Sequence, residues 1–233
     1  MNALALGLVA LAPPADATLY QFSVLESLNL ANYDGRLEVR GLLRKGNFGL
    51  GTYNGLNGEM IVLDGKAYRA DETGTIHLMS GGDKTPFAVV THFRSATRLS
   101  LPEPRSLAEL QAEIAKTLVT GVPYAIRVTA SFDLIKARSF PKQTPPYKPL
   151  PELVPSQRTF EWRNRRAVLV GFNLPAFLAR TNAPGFHFHT VTEDRRNGGH
   201  VLDAQLRDAV VELMPITKVE VEIPRTGVPG SGR

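Results

Sequence analysis

The stretch that decides the fold reads Phe186-His-Phe-His-Thr-Val-Thr-Glu-Asp-Arg-Arg-Asn-Gly-Gly-His200. Side chains along a β-strand alternate between two faces, so His187 and His189 point to one face. The phenylalanines beside them point to the opposite face, where a core can receive them. The polar residues and the Gly-Gly pair predict a turn, and His200 returns on the next strand. The stretch is typical of a β-hairpin that carries three histidines.

Three imidazoles facing one point suit zinc or another divalent ion, and the chain has no cysteine to offer thiolate ligands. Three protein ligands leave a coordination position open for water or substrate, which is typical of catalytic zinc sites. We therefore predict His187, His189 and His200 as metal ligands, with zinc as the first choice. The remaining two histidines, His77 and His92, are interpreted as ordinary polar residues.

The length and composition are sufficient for a folded chain with a hydrophobic core. The chain has 233 residues, which permits one large domain or two small ones, with 43% hydrophobic residues for a core. The formal charge is +5, but basic residues are scattered or occur in pairs such as Arg165-Arg166. No basic run alternates with stacking aromatic residues, so we expect no nucleic-acid partner. A mild preference for small anionic molecules explains the charge equally well.

The N-terminal segment leaves the compartment open. Residues 3–12 form an apolar run that is too short to span a membrane, and we expect no membrane partner. Ala15-Asp16-Ala17 has the shape of a signal cleavage site, although no lysine or arginine precedes the run. We interpret residues 1–18 as a signal peptide or a disordered extension, so the sequence is compatible with a cytoplasmic or an exported protein.

The folded part is predicted to be rich in strands with few helices. Residues 37–43 alternate as a strand, and Asp64-Gly65 predicts a two-residue hairpin turn. Residues 106–118 are the best helix, because Ser106 and the glutamate three residues later form a capping box before an apolar stripe. Two further strands are predicted around a turn at Asn164.

Strands and helices do not alternate as in a doubly wound sheet, which favours the α+β class. Each half of the chain offers a helix followed by several strands. We predict an N-terminal β-rich half at residues 19–100 and a C-terminal α+β half at residues 101–224 that carries the histidines. Residues 225–233 are predicted to be a flexible tail.

Two charged residues beside apolar strands, Glu59 and Arg138, are candidate partners of the metal. Glu59 follows a glycine-rich segment at residues 46–57, where glycines allow backbone to approach a ligand and Thr52 offers a hydroxyl. Arg138 lies inside an alternating strand, and facing inward it would clamp a carboxylate with two hydrogen bonds. Lys136 is the less favoured alternative. The alternative is that neither residue is functional, with Glu59 at a solvated strand end and Arg138 facing outward.

Four blocks of sequence resemble the α-acetolactate decarboxylase family, in order and over nearly all of residues 19–224. They are Leu19-Tyr-Gln-Phe-Ser-Val with Tyr33-Asp-Gly35; Gly46-Asn-Phe-Gly-Leu-Gly-Thr52-Tyr-Asn-Gly-Leu-Asn-Gly-Glu59 running into Val62-Leu-Asp-Gly-Lys-Ala-Tyr68; Tyr124-Ala-Ile-Arg127 through Arg138-Ser-Phe-Pro-Lys-Gln143; and Gly185-Phe-His-Phe-His189 through Gly198-Gly-His-Val-Leu-Asp203. The glycine-rich block and the histidine block are each distinctive, and together they are specific.

The resemblance implies roles for particular residues. The three histidines match the zinc ligands of the family. Glu59 matches an active-site glutamate that is a ligand or a proton-transfer group, Arg138 matches the active-site arginine, and Thr52 matches a threonine that contacts the substrate. The implied fold is α+β, with two mixed or antiparallel sheets from a duplicated β-α-β unit, and the implied assembly is a homodimer.

The implied reaction is decarboxylation of (S)-2-acetolactate, a 2-hydroxy-3-keto acid, to (R)-acetoin and CO2 on the route to butanediol. Zinc would stabilise the enediolate left by the loss of CO2. One feature departs from the family, whose members often supply a further glutamate from a longer C-terminal segment. No residue after Glu222 matches it by position.

Two other functions remain open at this stage. The spacing from His187 to Glu193 imitates the first cupin motif and would indicate a metal-dependent dioxygenase or isomerase, but no histidine follows His200 for the second motif. The other alternative is a non-enzymatic β module that binds metal. The glycine-rich block, Glu59 and Arg138 argue against it, since a storage site needs none of them.

Overall fold

The structure is a computed structural model that describes residues 9–10, 17–103 and 105–224. The described part is mostly strands, with four short helices. The strands are β1 Val9–Ala10, β2 Thr18–Phe22, β3 Leu37–Glu38, β4 Phe48–Thr52, β5 Glu59–Leu63, β6 Lys66–Ala70, β7 Ile76–Leu78, β8 Lys84–Thr85, β9 Ala88–Thr91, β10 Thr97–Leu101, β11 Arg105–Ser106, β12 Tyr124–Ser139, β13 Arg158–Leu174, β14 Gly185–Thr192, β15 Gly198–Pro215 and β16 Lys218–Glu222. The helices are α1 Leu25–Asn29, α2 Val39–Leu43, α3 Leu107–Ala115 and α4 Leu150–Leu153.

Two seven-stranded sheets form the body of the molecule, and a two-stranded ribbon of β3 and β8 lies beside them. The first sheet has the order β16-β2-β9-β4-β5-β6-β7, and the second has the order β1-β10-β15-β12-β13-β14 with β11 also paired to β15. All pairs are antiparallel except β16 with β2. The few helices and the mixed and antiparallel sheets confirm the α+β prediction.

The two sheets pack against each other through a shared core. Phe48 and Ile61 of the first sheet contact the same buried cluster as Val170 and Phe172 of the second. Strand β10 of the predicted N-terminal half belongs to the second sheet, and β16 of the predicted C-terminal half belongs to the first. The division into two halves stays a prediction.

The second sheet closes on itself where the histidines lie. Strands β12, β13, β14 and β15 pair in a cycle, because β14 pairs with β13 on one side and with the start of β15 on the other. This closure brings residues of β12, β14 and β15 around one small cavity. It therefore fixes the positions of the side chains that line the cavity.

The predicted capping box is present at the start of α3. The Ser106 side chain accepts a hydrogen bond from the Glu109 backbone N–H, and the Glu109 carboxylate accepts one from the Ser106 backbone N–H. Leu110 and Ile114 bury the apolar side of this helix in the core of the second sheet. The capping box and the apolar stripe both predicted a helix at this position, and the structure has helix α3 there.

Two local predictions were wrong. Most of the strand predicted at residues 37–43 is helix α2, because Val39 and Leu42 are three residues apart and bury together on one helical face. The turn predicted at Asn164 is absent, since β13 runs through it in one register with β12. Asn164 has a φ of 53°, and an asparagine tolerates this left-handed kink without reversing the chain.

The glycines at residues 46–58 serve close packing of backbone more than approach to a ligand. A Cβ added at Gly49 would lie 2.0 Å from the carbonyl oxygen of Val89 on the neighbouring strand. Gly58 has a φ of +81°, and a Cβ there would lie 2.3 Å from the carbonyl oxygen of Ala70. The glycine-rich block therefore lets β4 lie tightly against β9 and lets the chain turn into β5.

Most of the predicted terminal segments lies outside the described residues. Within residues 1–18, the structure describes β1, which pairs with β10, and Ala17 and Thr18 at the start of β2. The predicted tail at residues 225–233 lies wholly outside. Among the helices that the structure describes, none has the length and hydrophobicity needed to cross a membrane.

Candidate active site

The three histidines lie on the predicted hairpin. β14 and β15 are antiparallel, and His189 is directly opposite His200 in their register. The connecting turn is formed by residues 193–197, whereas Gly198 and Gly199 already belong to β15 and pair with Val191 and Thr190. The turn prediction was thus displaced by two residues, although the strand assignment of the histidines was correct.

The geometry of the three imidazoles fits a metal ion. One ring nitrogen from each of His187, His189 and His200 lies within 4.8 Å of the others. Nε2 of His187 is 3.0 Å from Nδ1 of His200. Two nitrogens bound to one tetrahedral zinc at 2.0–2.1 Å lie roughly 3.3 Å apart. The donor set and its spacing therefore match a divalent ion after small side-chain adjustments.

A backbone carbonyl orients one of these rings. Nδ1 of His189 lies 2.8 Å from the carbonyl oxygen of Met60 on β5. A carbonyl oxygen only accepts hydrogen bonds, so Nδ1 donates its proton and Nε2 keeps a lone pair for a metal. Sequence reasoning missed this partner, because the contribution comes from backbone and leaves no signal in the residue type.

Burial keeps the imidazoles neutral, as metal ligands must be. Desolvation lowers the pKa of His187 to about 4, and the positive charge of Arg138 acts in the same direction. The pKa values of His189 and His200 are also held well below the usual range, mainly by desolvation. Each ring is therefore neutral at neutral pH and has one nitrogen that carries a lone pair.

Glu59 and Arg138 meet beside the histidines, from different sheets. Nη1 of Arg138 donates to Oε1 of Glu59 at 2.7 Å, and Oε2 of Glu59 lies 3.5 Å from Nε2 of His189. Burial raises the pKa of the Glu59 carboxyl, while the charge and hydrogen bond of Arg138 oppose that rise. The guanidinium also lies 4.9 Å from the centroid of the Phe140 ring, which supports its plane.

Thr52 is directly opposite Glu59 in the pairing of β4 with β5. Its hydroxyl donates to the carbonyl oxygen of Gly58 at 2.8 Å, and the residue is only 4% exposed. Because the hydroxyl proton is committed, the Thr52 oxygen can take part in a further hydrogen bond only as an acceptor.

All six predicted site residues line one cavity of about 90 Å³. The polar lining consists of Thr52, Glu59, Arg138, His187, His189 and His200. The apolar lining consists of Leu25, Leu28, Leu50, Leu56, Phe87, Phe140 and Leu150. The apolar residues of α1 and α4 were not predicted as part of the site, since leucines in short helices carry no signal of such a role. The cavity therefore combines charged and metal-ligating groups with an apolar lining.

The remaining candidates lie away from this cavity. His77 pairs with Asp71 at 2.6 Å on the surface, and His92 is exposed. Lys136 is exposed, and Glu193 forms a surface ion pair with an arginine of β13. None of the four lines the cavity.

A sequence model of the family described as alpha-acetolactate decarboxylase matches residues 19–228. The chain belongs to the α-acetolactate decarboxylase family. It is 39% identical to the α-acetolactate decarboxylase of Brevibacillus brevis over 219 residues, which cover 94% of this chain and 77% of the relative. It is 40% identical to the enzyme of that name from Methanosarcina mazei, over 91% of this chain and 74% of the relative.

Solved structures of α-acetolactate decarboxylases have the same fold. The crystal structure of the enzyme from Bacillus subtilis strain 168 superposes with a TM-score of 0.89 at 32% identity, covering 93% of each chain. Decarboxylases are carboxy-lyases, so family membership makes this chain an enzyme of that class. The cupin and storage-module alternatives are therefore dropped.

Proposed function

We propose that this protein decarboxylates (S)-2-acetolactate to (R)-acetoin and CO2, with a divalent metal, zinc first, held by His187, His189 and His200. One observation carries the proposal. In a chain of the α-acetolactate decarboxylase family, three neutral imidazoles, a carboxyl group and a guanidinium converge on one small cavity. We infer the substrate from the name of the relatives. We infer the mechanism from the residues that line the cavity of this chain.

Loss of CO2 breaks the bond between the carboxylate carbon and the carbon that bears the hydroxyl. The electron pair of that bond stays on the hydroxyl-bearing carbon and delocalises onto the neighbouring ketone oxygen, which gives an enediolate. A proton must then be added to the same carbon. A divalent metal in the histidine site would supply Lewis-acid stabilisation of this negative charge.

Arg138 is proposed to orient the substrate carboxylate. Among the described residues, only its Nη1 is engaged by Glu59, so the other N–H groups of the fork are available to a carboxylate. The Phe140 ring and Glu59 hold the guanidinium in place before substrate arrives. Such preorganised donors stabilise charge at little cost in reorganisation.

Glu59 is proposed to hold the proton that reaches carbon. Its carboxyl lies between Arg138 and His189, so it is adjacent to both the carboxylate position and the metal position. Thr52 is proposed to accept a hydrogen bond from the substrate hydroxyl, because its own proton is committed to Gly58. Delivery from one fixed side chain to one face gives a single enantiomer.

The test is acetoin formation from racemic 2-acetolactate by purified protein, resolved by chiral chromatography, with a chelator-treated sample as control. We expect rapid formation of (R)-acetoin that chelation abolishes and a divalent metal restores. Acetoin formation no faster than the spontaneous rate, in protein with metal bound, overturns the proposal. The homodimer implied by the family resemblance is a separate prediction, and mass measurement in solution tests it.

A further inference from the structure

Helix α1 supplies part of the apolar lining of the cavity that the three histidines also line. Leu25 and Leu28 line the cavity from this helix, and Leu28 is 6% exposed within a cluster that includes Phe87 and Phe140. The helix has only five residues. Isolated helices of that length are unstable in water, so contacts elsewhere must hold α1 in position.

The start of α1 is capped by another segment rather than by its own side chains. Its N-cap, Val24, makes no side-chain hydrogen bond. Instead, the backbone N–H of Leu25 donates to the carbonyl oxygen of Thr181 at 2.9 Å, and that of Glu26 donates to the carbonyl oxygen of Arg180 at 3.0 Å. The position of α1 therefore depends on the loop at residues 179–184, which leads into β14.

Two buried side-chain amides hold that loop. The side-chain N–H2 of Gln21 donates to the carbonyl oxygens of Ser23 and Thr181, each at 2.7 Å. Nδ2 of Asn182 donates to Oε1 of Gln21 at 2.7 Å. Gln21 is 1% exposed and Asn182 is 3% exposed. We call this pair the amide clasp.

The amide clasp connects the wall of the cavity to the metal ligands. Gln21 lies on β2 in the first sheet, whereas Asn182 lies in the loop that precedes His187. Thr181 accepts hydrogen bonds from both Gln21 and Leu25, so one carbonyl links the clasp to α1. Removing the clasp leaves a buried carbonyl and a buried amide without partners, which costs free energy unless the loop moves.

We propose that Gln21 and Asn182 are positioning residues that hold Leu25 and Leu28 at a fixed distance from the histidines and thereby limit the size of the alkyl group on the reacting carbon of the substrate. The inference rests on the proposed function for its substrate, but not for its geometry. Leu25 and Leu28 line the same small cavity as the three histidines, so their position sets how much apolar space a substrate bound there can occupy. The clasp thus acts on specificity through α1.

The test compares two substrates, 2-acetolactate and its homologue with an ethyl group in place of the methyl group on the tertiary carbon. Asn182→Asp keeps the side-chain volume but places a carboxylate oxygen against Oε1 of Gln21. Gln21→Met keeps the volume of the other partner without any hydrogen bond. Asn47→Ala is the matched control, because the Asn47 side chain accepts from the Phe93 backbone N–H at a position outside the cavity. Leu28→Ala enlarges the cavity directly, because it removes a side chain that lines it.

One extra methylene in an apolar pocket changes selectivity by about 10-fold or more. We expect both clasp variants to raise the ratio of kcat/KM for the ethyl homologue to kcat/KM for acetolactate by about 10-fold, in the same direction as Leu28→Ala. The Asn47→Ala control should leave the ratio unchanged. A ratio that stays at the parent value in the clasp variants, or that shifts equally in the control, overturns the inference.

A second measurement needs no turnover. Peptide-level hydrogen exchange should be faster at residues 25–29 in Asn182→Asp and Gln21→Met than in the parent protein and in Asn47→Ala. If the parent protein lacks decarboxylase activity, the proposed function fails while the exchange result still judges the clasp. Unchanged exchange at α1 in the clasp variants overturns the positioning role, whatever the activity. If one variant fails to fold, the other decides.

Discussion

The Arg138 guanidinium and the Glu59 carboxylate join the two sheets beside the histidine cluster, through a hydrogen bond of 2.7 Å. Arg138 comes from β12 of the second sheet and Glu59 from β5 of the first. Neither sheet alone therefore contains the complete cluster. A small shift between the sheets would separate the group that we propose to bind the substrate carboxylate from the group that we propose to hold the proton.

Replacing a histidine ligand should remove the metal together with the activity. We expect His200→Ala to lower metal affinity by more than the roughly 100-fold that follows loss of an outer-shell partner, with activity lost in parallel. Metal content by elemental analysis and acetoin formation are the measurements. His77→Ala is the control, since His77 pairs with Asp71 at the surface, and it should behave as the parent protein. Full metal occupancy in His200→Ala would contradict the assignment.

Removing the guanidinium should impair catalysis without loss of metal. We expect Arg138→Ala to lower kcat by about 10²–10³-fold, the effect of removing one preorganised charge-stabilising donor. Arg138→Lys should recover only part, because an ammonium lacks the planar fork. Lys136→Ala lies on the same strand but is exposed, and it serves as the control. Parent-level kcat in Arg138→Ala would exclude the proposed role.

Neutralising the buried carboxyl should separate catalysis from folding. Glu59→Gln keeps an oxygen that accepts from Arg138, so the free energy of unfolding should stay near that of the parent. Because a carboxamide cannot exchange a proton with the substrate carbon, kcat should fall by about 10²–10⁴-fold. Steady-state kinetics and denaturant unfolding measure the two effects. Glu212→Gln is the control, because Glu212 lies outside the cavity and forms an ion pair of 3.7 Å with Arg127. An equal loss of kcat in that variant would refute the role of Glu59.

Thr52 offers a test of a single hydrogen bond to substrate. Thr52→Val removes the acceptor, and we expect KM to rise by about 3- to 10-fold, which corresponds to one neutral hydrogen bond. Thr52→Ser retains the hydroxyl and should stay close to the parent. Thr91→Val provides the control, because Thr91 is equally buried and donates to the Thr18 carbonyl outside the cavity. A parent-level KM in Thr52→Val would count against substrate contact.

Because β4 packs closely on β9, replacing Gly49 by alanine should destabilise the fold more than such a small substitution usually does. Gly49→Ala should lower the free energy of unfolding by about 3 kcal/mol or more, because the added Cβ has to displace the backbone of Val89. Gly65→Ala faces open space and carries only the cost of its left-handed φ of +75°, about 1–2 kcal/mol. Denaturant unfolding ranks the two variants. The reverse order would mean that β4 and β9 separate easily.

Local alternation was sufficient to predict the strands that carry the histidines. His187 and His189 share a face because they are two residues apart, and this follows from strand geometry alone. The same pattern misled at residues 37–43, where Val39 and Leu42 form the buried face of α2. Short apolar segments fit both periods, and packing against the first sheet decides between them.

The composition of the cavity could not be derived from local pattern. Glu59 and Arg138 are 79 residues apart in sequence, and their contact depends on how the two sheets face each other. Local pattern indicated each of them as a separate candidate, and the family resemblance implied that both belong to one active site. The carbonyl of Met60 and the leucines of α1 and α4 were not predicted at all, because nothing in their residue types marks them.

Strand β16 lies parallel to β2, so two segments about 200 residues apart in sequence complete one edge of the first sheet. A nascent chain leaving the ribosome exposes the edge of β2 until Lys218–Glu222 emerges, and an exposed edge is a template for pairing with other chains. The first sheet therefore stays open to such pairing until synthesis has passed β16.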